Sequence, residues 1–220
     1  MNLKKKHAFF NLIWSNHVIL FPKRHNEAVD DLWTTGYKIE ENVHQQGPTA
    51  LTSSQAWATY ECYNPRYSCN GTIKIYMQIP YKGTESEPWE SRAKQASIFP
   101  NDVKAELKAL IRLNHAGCSS APRLLNWKMD KQTEAMPVPG GYVVYIVTKQ
   151  LLGEPLTNLA KLSQWERRSI LIAFKDAYME CYECGIVSDE KNKSNVIWNE
   201  KMRKWFVYGF MLDNQIIEVC

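Results

Sequence analysis

No stretch of the 220-residue sequence approaches the length of an apolar membrane span. The nearest thing to a leader, Lys4 to Lys6 followed by Ala8 to Phe21, is interrupted by Asn11, Ser15, Asn16 and His17. No small-residue cleavage pattern follows it. Charge of one sign is also scarce. The 27 Lys and Arg against 23 Asp and Glu leave a formal net charge of +4, too little to argue for nucleic acid by itself. With 45% hydrophobic residues the chain is not of disordered composition. Internal repeats and low-complexity tracts are lacking. The cysteines Cys62, Cys69, Cys118, Cys181, Cys184 and Cys220 are scattered rather than arranged as a small secreted disulfide framework. Cys181 and Cys184 form a lone CxxC with no second pair at zinc-ligand spacing. It sits at the end of a predicted helix rather than at the helix N-terminus that redox motifs use, so reduced thiols near a core face are expected. The sequons at Asn70 and Asn192 mean little without secretion. These absences leave a soluble, intracellular globular chain of one or two domains as the expectation.

Residues 1–55 mix tryptophans and charges without a sustained period and read as an extension. Thr72 to Ile79 alternates, is rich in β-branched and aromatic types, and ends at Pro80, which predicts a strand. A helix is predicted from Asn101 or Asp102 to about Asn114, with Val103, Leu107, Leu110, Ile111 and Leu113 as its apolar stripe. Leu124 to Met129 reads as a short strand, and Met136 to Gly141 as a turn. Tyr142 to Thr148 is a nearly continuous apolar run, as expected of a strand buried on both faces. After the break at Leu151 to Leu156, Ser163-Gln164-Trp165-Glu166 is a capping box that opens a helix running to Cys184, with Gly185 as its stop. Asn195 to Trp198 and Trp205 to Phe210, joined by Asn199-Glu200-Lys201, read as a hairpin.

The order strand, helix, strand, strand, helix, hairpin resembles the front two-thirds of the protein-kinase fold, and several residues fall in place. Lys74, in Thr-Ile-Lys, is similar to the strand lysine of Val-Ala-Ile-Lys, and Glu106 to its partner on the following helix. The resemblance implies that the lysine clamps nucleotide phosphates while the carboxylate fixes it, since a buried ammonium must be paired. Thr148 then stands as gatekeeper, with Lys149, Gln150 and Leu151 as the hinge whose backbone meets adenine. The implied fold class is α+β, protein-kinase-like and two-lobed. Residues 56–152 would form a small lobe with an antiparallel sheet plus a helix, and residues 153–220 a truncated helical large lobe.

The catalytic motifs are degenerate. Anchored on Asn195 as metal ligand, the catalytic aspartate position falls on Glu190, with Asp189 one residue out of register. The histidine and arginine of His-Arg-Asp are absent. Gly209, in Val207-Tyr208-Gly209-Phe210, stands where the metal-binding aspartate belongs, and glycine cannot ligate magnesium; Asp213 lies four residues on. No glycine-rich loop precedes Lys74. Only Met211 to Cys220 follow Phe210, too few for an activation segment.

The strings Ile73 to Tyr81, Arg92 to Ala96, Pro139 to Tyr142 and Gly209-Phe210 resemble a group of filamentous-fungal proteins with kinase-like domains. That resemblance implies a fold, while the missing metal ligand and the missing lobe point to a pseudokinase: a non-catalytic module that binds or regulates a protein partner, with no cofactor established and ATP with magnesium as the candidates. The competing expectation is an atypical ATP-dependent phosphotransferase, with Asp189 or Glu190 as base, Asn195 on the metal and Lys74 on phosphate. Nucleic-acid binding, suggested by the basic clusters at Lys4 to Lys6 and around Arg203, is explained more simply by solvated charges and structural tryptophans.

Overall fold

The structure, a computed structural model, describes residues 9–10, 14–23, 29–154, 162–187, 196–207 and 211–212. It is mixed α+β and divides into two compact units. One is Met1–Pro100 with Asn126–Val147; the other is Asn101–Leu125 with Thr148–Cys220.

In the first unit a sheet of six strands runs in the order β1-β2-β3-β4-β6-β5. Its strands are β1 Val18–Phe21, β2 Asp31–His44, β3 Gln55–Asn64, β4 Cys69–Gln78, β5 Leu124–Lys131 and β6 Tyr142–Lys149. The pairs β1–β2, β2–β3 and β3–β4 are antiparallel. Period-two burial, strict along β3 and kept in β4 as far as Ile75, sets the β3–β4 register. Ala58 faces Ile75 and Tyr60 faces Ile73 on the buried side, while Thr59 faces Lys74 on the other. The sheet therefore extends into residues 1–55, read from sequence as an extension. Phe10, Trp14, Phe21 and Trp33 are all core residues, and the rings of Trp14 and Phe21 lie 6.3 and 6.4 Å from that of Tyr145. As its composition predicts, β6 is buried from Tyr142 to Val147. A buried carboxylate, Asp31, ties three strands together. It accepts from Trp33 Nε1 (2.8 Å), Asn126 Nδ2 (2.9 Å) and Asn64 Nδ2, so its buried oxygens are satisfied by donors. A one-turn helix, α1 (Trp89–Ala93), completes this unit.

In the second unit α2 (Asn101–His115) buries Val103, Leu107, Leu110 and Leu113 at helical spacing, as predicted. Gly117, at φ +69°, ends it; the Cys118 amide then donates to the Leu113 carbonyl at 3.0 Å. In sequence α2 was assigned with residues 56–152; here it groups with the second unit. α3 (Gln164–Glu183) begins at the predicted capping box: the Glu166 amide donates to Ser163 Oγ, and the Ser163 amide to Glu166 Oε2. These hydrogen bonds hold the Glu166 carboxyl below its usual range. The hairpin is β8 (Val196–Asn199) with β9 (Lys204–Val207), and two short strands, β7 (Ile186–Val187) and β10 (Met211–Leu212), pair antiparallel. Ile170, Ala177, Trp198 and Trp205 form the core between α3 and the hairpin. Trp205 Nε1 donates to the Ile170 carbonyl at 3.0 Å. Among the described residues no helix is long and apolar enough to cross a membrane.

Candidate functional site

The strand-to-helix linker holds the residues that the sequence marks as a hinge. β6 ends at Lys149, whose amide donates to the Arg123 carbonyl at 2.8 Å. The chain then turns through Gly153 at φ +147°, a conformation that glycine adopts without a steric penalty. Glu154 and Trp198 exchange both backbone hydrogen bonds at 3.0 Å, and Asn199 Nδ2 donates to the Leu152 carbonyl at 2.8 Å. The linker is thus laced to β8, and a Cβ on Gly153 would stand 2.5 Å from the Trp198 oxygen.

Lys149, Gln150 and Leu151 line one groove of about 600 Å³, wholly within the second unit. The end of α2, at Leu113 and Asn114, and the loop from Gly117 to Arg123 form another wall, and Asn199, Met202 and Phe206 of the hairpin a third. The volume suits a small molecule or a short segment of chain. Among the described residues Arg123 and Lys149 are the charged side chains that line it, a lining that favours neutral or anionic groups. Thr148, half-buried, is not among the lining residues.

The other predicted site residues fall elsewhere. Lys74 lies on β4 in the first unit, half-buried, with its ammonium 4.8 Å from the centre of the Tyr76 ring. Glu106 lies on α2 in the second unit, also half-buried. Asp189, Glu190 and Asn195 are outside the described residues, as are Gly209, Phe210 and Asp213.

Sequence reasoning missed the polar cluster behind the groove's loop wall. Glu180 on α3 accepts from the Ser119 amide (2.6 Å), Ser119 Oγ (2.8 Å) and Ser120 Oγ. Lys204 Nζ lies 3.8 Å from the same carboxylate. Burial raises the Glu180 carboxyl, but the serine hydrogen bonds and the Lys204 charge more than offset it, so its pKa is lowered. A carboxyl lowered on folding stabilises above its unfolded pKa, about 4.3, and loses that contribution as pH falls through the folded value. Glu180→Gln is therefore expected to cost about 1 kcal/mol at pH 7, discounted for exposure, and to flatten the loss of stability below about pH 4. Urea titrations at pH 7 and pH 3 check both. The signal for this cluster is weak in sequence, because its members are sixty residues apart.

Three of the four quoted strings, Ile73 to Tyr81, Arg92 to Ala96 and Pro139 to Tyr142, lie in the first unit; Gly209-Phe210 is outside the described residues. Gln78 Nε2 donates to the Gln95 carbonyl at 2.6 Å, and the Ser97 amide donates to Gln78 Oε1 at 3.0 Å. Arg92 reaches the carbonyls of Met136 and Pro137, and Gly141 packs against Gln78.

No family model matches the chain, and no curated protein does. Among solved structures, the kinase PK-1 of Cydia pomonella granulovirus is similar at a TM-score of 0.44 and 12% identity. The match covers 76% of this chain and 49% of that kinase, so the chain spans about half the length of that neighbour. The chain thus has a kinase-like structural neighbour.

Proposed function

We propose that the chain is a degenerate kinase-like module that binds a protein partner and does not transfer phosphate. The observation that carries this reading is the order β4, α2, β5, β6, linker, α3 and hairpin, with a linker pinned to β8 at the place where the kinase comparison puts its hinge. In this reading the body is two-lobed. Lys74 and Glu106 pair, and Thr148, Lys149, Gln150 and Leu151 border a nucleotide cleft. Gly209 at the metal-ligand position argues against catalysis, because phosphoryl transfer depends on positioning and on metal neutralisation of charge.

A partner-binding role draws support from α3. It buries only Ile170, Ala177 and Cys181, while Trp165, Ile172 and Met179, seven residues apart, are exposed together with Leu171 and Tyr182.

With radiolabelled ATP and magnesium or manganese, the purified protein is expected to label neither itself nor a generic acceptor. Labelling that disappears in Lys74→Ala would establish instead the atypical phosphotransferase, with Asp189 or Glu190 as base and Asn195 on the metal. Nucleotide binding is read separately by thermal shift. A Kd near 10 μM would raise Tm at 1 mM ATP by about 5–10 °C.

A further inference from the structure

Three thiols converge where the groove's loop wall meets α3. Cys118 Sγ lies 3.7 Å from Cys181 Sγ, across 63 residues of sequence, and Cys184, at the C-cap of the same helix, is near enough to bias the Cys118 thiol. Their settings differ. Cys118 is half-exposed on a loop and lines the groove, so a small solute can reach it. Cys181 is 3% exposed on α3, and Cys184 sits half-buried at the helix C-cap. The hydrogen bond from Cys181 brings the Cys118 thiol down to about 7. Burial and Glu180 oppose this shift, while the Ser120 backbone and the Cys184 thiol assist it. The same contact and burial push Cys181 up, so Cys118 carries the thiolate while its neighbours keep their protons. A disulfide needs the two sulfurs to close by about 1.7 Å, from 3.7 Å to about 2.05 Å.

We propose that Cys118 is a peroxide-reactive thiol and Cys181 its resolving partner, forming a reversible disulfide that pins the groove's loop wall to α3. The Cys118 thiolate attacks a hydroperoxide oxygen. The S–O bond forms as the O–O bond breaks, and the leaving alkoxide or hydroxide takes the electron pair and a proton from water. Sulfur is oxidised by two electrons and the peroxide is reduced to alcohol or water. Cys181 then loses its proton and attacks the Cys118 sulfenic acid. The S–S bond forms, the S–O bond breaks, and hydroxide leaves to be protonated as water. A dithiol reductant reverses the link by exchange.

The test uses the full chain and hydrogen peroxide in slight excess, with non-reducing peptide mapping. The expected product is one Cys118–Cys181 disulfide, with loss of two hydrogens and a Tm higher by about 5–10 °C, restored by dithiothreitol. Cys118→Ser and Cys181→Ser abolish the product, whereas Cys184→Ser retains it. A measurement on the unaltered protein guards against misfolded variants: iodoacetamide modifies Cys118 first among the six cysteines, with a half-maximal rate near pH 7. The proposal is overturned if Cys118 alkylates no faster than the other cysteines. Oxidation of Cys118 to sulfinic acid with Cys181 still free, or a disulfide between other cysteines, would overturn it equally.

Discussion

Gln132→Ala is expected to lower the stability of the folded chain by about 3–5 kcal/mol. The side chain is 4% exposed and serves three backbone groups. Nε2 donates to the carbonyls of Gln78 (2.8 Å) and Tyr142 (3.0 Å), and Oε1 accepts from the Val138 amide (2.9 Å). Its own backbone closes the same turn, receiving from Gly140 and donating to Gly141. Alanine would remove three buried hydrogen bonds to backbone groups at once, at about 1–3 kcal/mol for each group left unsatisfied, less whatever water recovers. A shift in urea midpoint with unchanged m-value checks the prediction, and a loss under about 1 kcal/mol would contradict it. Gln132→Glu separates hydrogen bonding from volume. Its ionised carboxylate would turn an oxygen toward two carbonyls, so its folded pKa is raised. The variant should therefore be destabilised at pH 7 and regain stability as pH falls and the carboxyl becomes a donor.

What the sequence makes legible follows from how each element meets water. α2 and most of β4 can be read in advance because their burial keeps a single period, β6 because its apolar run is continuous, and α3 from its capping box and the Gly185 stop. β2 hides because its alternation is inverted. Asp31 and Thr35 are buried while Tyr37 and Ile39 are exposed, and irregular register against β3 interrupts the period. β3 turns Ala56, Ala58 and Asn64 inward beside Tyr60 and Cys62, and Trp57 and Tyr63 to the other face, so hydropathy does not mark its buried side. β7 and β10, two residues each, are too short to carry a pattern. Of the candidate site, the linker was legible from Gly153 and the end of an apolar run. Cys118 and Glu180 were not, because only tertiary structure brings their partners within reach. The CxxC pattern drew attention to Cys181 and Cys184, while the thiol nearest Cys181 comes from a loop that precedes them by 63 residues.

Gly153→Ala should be the most damaging substitution in the second unit, at about 3–5 kcal/mol. Two independent costs meet there. At φ +147° an L side chain is strained. The added Cβ would also stand 2.5 Å from both the Trp198 oxygen and Ile197 Cγ2. Neither neighbour can withdraw cheaply. Trp198 holds Glu154 through two backbone bonds, and its ring packs 5.4 Å from Trp205 in the core against α3. Relief must come from lifting the linker off β8. That would also break the Asn199–Leu152 bond and separate Lys149 to Leu152 from the hairpin wall of the groove. The variant should therefore lose near-ultraviolet tryptophan circular dichroism and midpoint stability together. Gly36→Ala is the control: its nearest neighbour, the Glu61 oxygen, would lie at an ordinary 3.6 Å, so a change within about 1 kcal/mol is expected. Equal effects at the two glycines would show that the linker is not clamped to the hairpin. A selective loss at Gly153 means that the linker is held as a strap against β8 that fixes one wall of the groove.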